Sequence, residues 1–359
     1  MESFSASLLT WYDRNARTLP WRVSPADGKL GIVPDPYHVW LSEVMLQQTT
    51  VATVKSYFEK FVNKWPSVQH LAAVSQDDVM KEWAGLGYYS RARNLKACAD
   101  IVAKDYGGKF PETQAQLIGL PGVGDYTSAA IAAIAFGEKT AVVDGNIERV
   151  VSRCLANPIP LPKLKDICRV FMLDHTPEDR PGDFVQAMMD LGATICIPKT
   201  PVCALCPFNE KCAAFKAGSM LEFPVKVPKK AKPTRKGAAF VCVRSDGSVW
   251  LERRPDSGLL GGMSIVPTTG WTASVDGETG IGSAPFESDW RNKGLINHTF
   301  THFHLELEVW HAEVEQQPNG DGWWSAPSDL PDEALPTVFK KVVTAARPNA
   351  LKKQKELAP

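Results

Sequence analysis

The chain has 359 residues, 44% hydrophobic and 22% charged, with 40 basic and 40 acidic side chains and a formal net charge of zero. That length exceeds one ordinary core and predicts two domains, and the composition is that of a soluble globular protein. A neutral total gives no sign of a polyanionic partner, yet it can conceal a basic face on one domain. No apolar run approaches the roughly 20 residues that span a bilayer. The first 21 residues carry acidic and polar side chains through their apolar stretch, which speaks against a signal peptide. The expected setting is the cytoplasm, with no membrane association.

Leu8, Trp11 and Tyr12 share one face of a capped amphipathic helix at the N-terminus. After Pro20-Trp21-Arg22, the Gly- and Pro-bearing stretch Ser24–Pro34 reads as an inserted surface loop. Helical patterns follow at Tyr37–Thr49, Val51–Phe61, Asp77–Glu82, Ser90–Asp105, Thr113–Leu120, Thr127–Phe136, Asn146–Cys154 and Asp183–Cys196, with ordinary stop signals between them. Residues 223–237, FPVKVPKKAKPTRKG, hold six basic residues, three prolines and no acid. They predict a linker whose charge favours a DNA backbone. Beyond it the period shifts towards two. Ala238–Arg244 and Val249–Arg253 flank an Asp246-Gly247 turn and read as a β-hairpin. His298–Val314 reads as one longer strand, with Phe303, Leu305, Leu307 and Val309 on one face. Val338–Ala346 reads as a closing helix, so the second domain is α+β. No repeat is evident.

Four of the eight cysteines are scattered, and the other four crowd into one short segment: Cys196, Cys203, Cys206 and Cys212, spaced C-x6-C-x2-C-x5-C. A disulfide framework fits a cytoplasmic chain poorly. Zinc sites usually place their ligands as separated pairs, whereas four thiolates from one loop suit a cubane cluster. The spacing resembles the iron–sulfur loop of the endonuclease III and MutY glycosylases, and that resemblance implies a [4Fe-4S] cofactor. Lys199, Lys211 and Lys216 beside the loop suggest that it touches DNA phosphates rather than carrying the chemistry.

Leu120-Pro121-Gly122-Val123-Gly124-Asp125-Tyr126-Thr127 joins two helical patterns through a tight turn. Its glycines permit positive φ and close backbone approach, and the next helix N-terminus offers N–H groups to a phosphate. Alone the pattern is also that of a plain helix turn. With the downstream Ala141-Val142-Val143-Asp144-Gly145-Asn146 it resembles the helix-hairpin-helix and aspartate of base-excision glycosylases. There the hairpin, Gly122 and Gly124 here, binds DNA backbone. Asp144 suits an N-cap. The resemblance also places it where a carboxylate stabilises the sugar cation as the glycosidic bond breaks.

Glu43 lies in Val39-Trp40-Leu41-Ser42-Glu43-Val44-Met45-Leu46-Gln47-Gln48-Thr49. The bland reading points it to water. In such apolar company its pKa would rise, as a general acid near neutrality needs. The string resembles the MutY active-site segment, where this glutamate protonates N7 of adenine. At Tyr126, lyase members of the superfamily carry a nucleophilic lysine. A tyrosine implies hydrolysis of the base alone, and it is expected to hydrogen-bond near Asp144 with Asn146 beside it. Gln48 and Thr49, with Leu86 and Tyr88 of Gly85-Leu86-Gly87-Tyr88, match segments that wedge into the duplex when the base is flipped.

Arg253-Arg254-Pro255 and Gly258–Met263 resemble the start of a Nudix-like domain, but the glutamate-rich hydrolase box is missing, so this domain is expected to bind. Phe300-Thr301-His302 resembles the Phe-Ser-His tip that contacts 8-oxoguanine, with threonine for serine. The resemblance therefore implies a mostly α helix-hairpin-helix glycosylase domain over 1–222 with its iron–sulfur loop at 196–212. A linker at 223–237 and a Nudix-like lesion-recognition domain at 238–359 follow. The implied activity is that of a monofunctional, monomeric adenine glycosylase. Its partner is duplex DNA bearing an adenine:8-oxoguanine or adenine:guanine mispair, in the nucleoid if the source is bacterial. An endonuclease III-like lyase, a non-enzymatic iron–sulfur DNA-binding protein and a Nudix hydrolase are the rivals.

Overall fold

The computed structural model describes residues 3–227, 231–315, 317–318 and 320–352. Two compact units emerge, one of Met1–Ala73 with Asn94–Lys229, the other of Val74–Arg93 with Lys230–Pro359. Among the described residues, no helix is long and apolar enough to cross a membrane.

The helices are α1 (Phe4–Asn15), α2 (Pro25–Lys29), α3 (Pro36–Leu46), α4 (Val51–Lys64), α5 (Val68–Ala72), α6 (Gln76–Trp83), α7 (Ser90–Asp105), α8 (Gln114–Leu117), α9 (Asp125–Phe136), α10 (Gly145–Leu155), α11 (Leu164–His175), α12 (Pro181–Thr194), α13 (Ala213–Lys216) and α14 (Thr337–Ala346). Side-chain caps start many of them: Ser3, Ser24, Asp35, Thr50, Ser67, Ser75 and Asp144 each accept a backbone N–H of the first turn. Ser24 with Pro25 at the first helical position turns the expected insertion loop into the one-turn helix α2. Helix α11 was not foreseen, although Leu164, Cys168, Phe171 and Met172 recur at helical spacing and are all buried.

In the first unit α1, α9, α10, α11 and α12 share a core containing Leu8, Tyr12, Ala129, Val150, Leu164, Phe184 and Met188. Small residues let these helices approach closely. A Cβ added at Gly182 would stand 2.7 Å from the Ala133 carbonyl oxygen, and one at Gly192 would stand 2.6 Å from Asn146 Cβ. The second contact brings α12 directly against the start of α10, where the carboxylate of interest sits.

The second unit holds a six-stranded mixed sheet. Its strands are β1 (Thr234–Val243), β2 (Val249–Arg253), β3 (Ser264–Ile265), β4 (Arg291–Thr299), β5 (His304–Glu313) and β6 (Gly322–Ser325). They run in the order β3-β2-β1-β5-β4, and β6 also pairs with β2. The hairpin of β1 and β2 forms as expected, with Gly247 at φ 86° in its turn. Strand β1 then lies parallel to β5, from Thr234 opposite His304 to Val243 opposite Glu313. Val338, Phe339, Val342 and Val343 of α14 join Val241, Leu305, Leu307 and Val309 in one core, and Phe240, Trp250 and Trp290 form another.

Two expectations need correction. The stretch read as one strand over 298–314 is a hairpin, closed by Phe300 N–H donating to the Phe303 carbonyl at 2.9 Å. Alternation continued across a turn that contains no Gly, Pro or Asn to mark it. The basic segment 223–237 is also not linker throughout: Thr234–Gly237 already belong to β1. The Phe223 carbonyl is held by Arg153 Nε at 3.2 Å. Residues 228–230 of that segment lie outside the described residues.

Candidate active site

A cleft of about 460 Å³ opens in the first unit, lined by Glu43, Tyr126, Asp144 and Asn146 among others. Four sequence-predicted residues from α3, α9 and the start of α10 therefore meet. Glu43 is only 6% exposed. Burial pushes its carboxyl up to about 7; the Tyr126 hydrogen bond and Arg22 pull the other way, while Asp144 adds to the rise. Tyr126 Oη donates to Glu43 Oε2 at 2.8 Å. The phenol was expected to hydrogen-bond near Asp144; its partner is Glu43, in the cleft that Asp144 and Asn146 also line.

Asp144 both caps α10 and faces the cleft. Its Oδ1 accepts the Ile147 N–H at 2.7 Å, and its Oδ2 accepts Asn146 Nδ2 at 2.9 Å. Burial raises its pKa, opposed by these hydrogen bonds and by the Arg149 charge. Arg149 extends the network, donating from Nη2 to Asn146 Oδ1 at 2.8 Å and from Nε to the Cys196 carbonyl at 2.7 Å.

Sequence reasoning missed Arg17, Trp21, Arg22 and Gln186 on the cleft wall. It also missed Asp190, fully buried on α12 and paired with both arginines. The available signal was the one used for Glu43, an acid set in the apolar run Met188-Met189-Asp190-Leu191.

The hairpin has the geometry its glycines suggested. Gly122 sits at φ 74°, with Asn94 Cβ 2.7 Å from any added Cβ, whereas Gly124 faces open space. Helix α9 begins at Gly124 without a side-chain cap, which leaves its first-turn N–H groups available to an anion. Gln48 is exposed at φ 59° and lines the cleft with Thr49. Among the remaining wedge residues, Tyr88 is exposed at φ 48°. Leu86 is 5% exposed, so it packs inside and is not presented as a wedge. Within the second unit, Tyr88 Oη lies 2.6 Å from Thr301 Oγ1. Thr301 and His302 are exposed at the β4–β5 tip.

Cys196, Cys203, Cys206 and Cys212 line one pocket with apolar Val150, Leu191 and Phe208. Among the described residues no three His, Cys, Asp or Glu side chains are gathered around a single ion position. Burial pushes the Cys206 thiol up to about 12, and the neighbouring cysteines add to the rise. Four soft sulfurs lining one pocket suit a strongly cationic, thiophilic group. Arg153 ties the loop down, donating to the Ile197 and Pro198 carbonyls at 2.8 Å each.

Comparison with known proteins adds independent information. Residues 41–164 match the HhH-GPD superfamily of base excision DNA repair proteins, and residues 238–345 match a NUDIX domain. The adenine DNA glycosylase of Homo sapiens is 36% identical, over 95% of this chain and 73% of that protein. That of Buchnera aphidicola (Schizaphis graminum) is 32% identical, over 95% of this chain and 97% of its own length. A solved thermostable thymine-DNA glycosylase superposes with TM-score 0.52 at 30% identity, covering 60% of this chain and 95% of that one. With relatives this similar along nearly its whole length, the chain belongs to the adenine DNA glycosylase family.

Proposed function

We propose that this chain, as a monomer, hydrolyses the N-glycosidic bond of adenine mispaired with 8-oxoguanine or guanine in duplex DNA. The observation that carries the reading is the pairing of two unlike carboxyl groups in one cleft. Glu43, pushed up to about 7 by burial, holds its proton in about half of the molecules at neutral pH, while Asp144, also raised by burial, accepts two N–H bonds that favour its anion. Glu43 then gives a proton to the base as the sugar–base bond breaks and the electron pair leaves with the adenine. Asp144 stabilises the cation at C1′, and water adds there, losing its proton to a carboxylate.

No lysine lines the cleft among the described residues, so an amine nucleophile is lacking and the lyase alternative is not supported. The N-terminus of α9 and the Gly122–Gly124 turn would hold the backbone, and Gln48, Thr49 and Tyr88 would fill the gap left by the flipped base. Phe300, Thr301 and His302 would read the opposite base. The four cysteines would hold a [4Fe-4S] cluster, since four thiolates from one loop suit a cubane. When bound, the cluster would order the 196–212 loop.

Single-turnover release of adenine opposite 8-oxoguanine, with an adenine:thymine control and a borohydride trap, tests the proposal. Fast release from the lesion pair without a trapped covalent complex is the expected result. No release, or efficient trapping on an oxidised pyrimidine, overturns it.

A further inference from the structure

Asp190 is 0% exposed and does not itself line the cleft. Its Oδ1 accepts Arg17 Nε at 2.5 Å and Arg22 Nη1 at 2.9 Å. Its Oδ2 accepts the Arg17 backbone N–H at 3.0 Å and Arg22 Nη1 at 2.8 Å. A buried carboxylate is costly unless its partners are this complete. The reverse consequence matters more here: Arg17 and Arg22 both line the cleft, and the Arg22 side chain is only 8% exposed. Arg22 is therefore a fixed internal charge rather than a solvent-facing anchor for phosphate. The charged and titratable groups acting on Glu43 are Tyr126 of α9, Arg22 from the segment after α1, and Asp144 at the start of α10.

We propose that Asp190 is a positioning residue that anchors Arg22 and Arg17 on the cleft wall and offsets the positive charge that Glu43 faces. Arg22 carries the positive charge that acts on Glu43, and Asp190 is the buried carboxylate paired with it. Without Asp190 the full guanidinium charge would draw the proton off Glu43. A carboxylate that touches no substrate thus sets the protonation of the residue that does. The inference rests on Glu43 being the acid of the proposed reaction.

The test is a carbon-13 NMR titration of glutamate-labelled full-length protein without DNA, the Glu43 carboxyl signal being identified by its loss in Glu43→Gln. In Asp190→Asn the Glu43 midpoint is expected to fall by about one pH unit, the effect of uncovering a charge in a partly buried site. In Arg22→Met it is expected to rise. Unmoved midpoints in folded variants overturn the inference, including where adenine release slows, because that is what a purely structural ion pair would give. If Asp190→Asn does not fold by circular dichroism, Arg22→Met decides alone, and a midpoint that stays or falls overturns the inference. Failure of the function is read separately: wild-type protein that releases no adenine sinks the reaction, whatever the titration shows.

Discussion

Glu43 has opposite consequences for stability and for chemistry. Its folded-state pKa is raised to about 7 from 4.5 in the free side chain. The folded protein therefore holds this proton more tightly than the unfolded chain. The resulting contribution is fully present below the unfolded value and is lost as pH rises through about 7. Glu43→Gln, neutral at every pH, is expected to melt at a higher temperature than wild type at about pH 8.5, by an amount on the order of 3 kcal/mol at most. The advantage should shrink towards pH 5. The same variant is expected to lose about 10²-fold or more in adenine release. Thermal melts at two pH values check the first outcome, and single-turnover rates the second. Coincident melts at the alkaline pH would show that Glu43 is not a buried acid.

Tyr126→Phe removes the phenol that donates to Glu43, whose effect is to lower that pKa. The basic limb of the pH–rate profile should therefore move upward, by up to about one unit. A limb that stays in place would leave the phenol as packing. Glu43 stood out in the sequence as a carboxylate in an apolar run, and Asp144 through its N-cap position and the resemblance of its segment. The partnership of Arg22 with Asp190 was not legible there, because 168 positions separate them and neither residue implies the other.

Elements matter here for how closely they pass. Helix α12 lies so near the start of α10 that a Cβ at Gly192 would meet Asn146 Cβ at 2.6 Å and Asn146 Cα at 3.2 Å. The second contact is backbone, so a rotamer change cannot relieve it. Gly192→Ala is expected to cost about 1–3 kcal/mol as overpacking and to loosen Asn146 from Asp144. The melting temperature and the release rate should fall together; a rate that falls without a change in melting would place the effect elsewhere. The two hairpin glycines separate fold from binding. Gly122→Ala meets both positive φ and Asn94, and should destabilise. Gly124→Ala finds open space at φ −96°, so its melting should match wild type while its affinity for duplex DNA falls.

Long periodic helices such as α4 and α7 were read nearly to their ends. The failures came where the usual punctuation is silent or misleads. The Phe300–Phe303 turn uses no turn-forming residue, Ser24-Pro25 starts a helix inside a loop-like stretch, and the basic segment runs without a break into β1. Each is a tertiary outcome: a cap, a closing hydrogen bond or a strand partner decides it, and none of these is local in sequence.

At the scale of the molecule, the order of the two family matches follows the shift from helical to alternating pattern. The question left at this scale is selectivity. In the proposed reaction the cleft of the first unit takes the adenine, but adenine is also the correct partner of thymine throughout a genome. Discrimination must therefore read the opposite base, and in the second unit the exposed polar tip at Thr301 and His302 is suited to do so. Thr301 already shares a 2.6 Å hydrogen bond with Tyr88 in the protein alone, so its hydroxyl is oriented before DNA arrives. Thr301→Val keeps the branched shape and removes only that hydroxyl. One hydrogen bond is worth about 1 kcal/mol, so the ratio of single-turnover rates on adenine:8-oxoguanine and adenine:guanine should fall by roughly fivefold. The adenine:guanine rate itself should change little. Equal losses on both duplexes would assign Thr301 to general DNA binding, and the reading of the lesion would then have to lie with other residues.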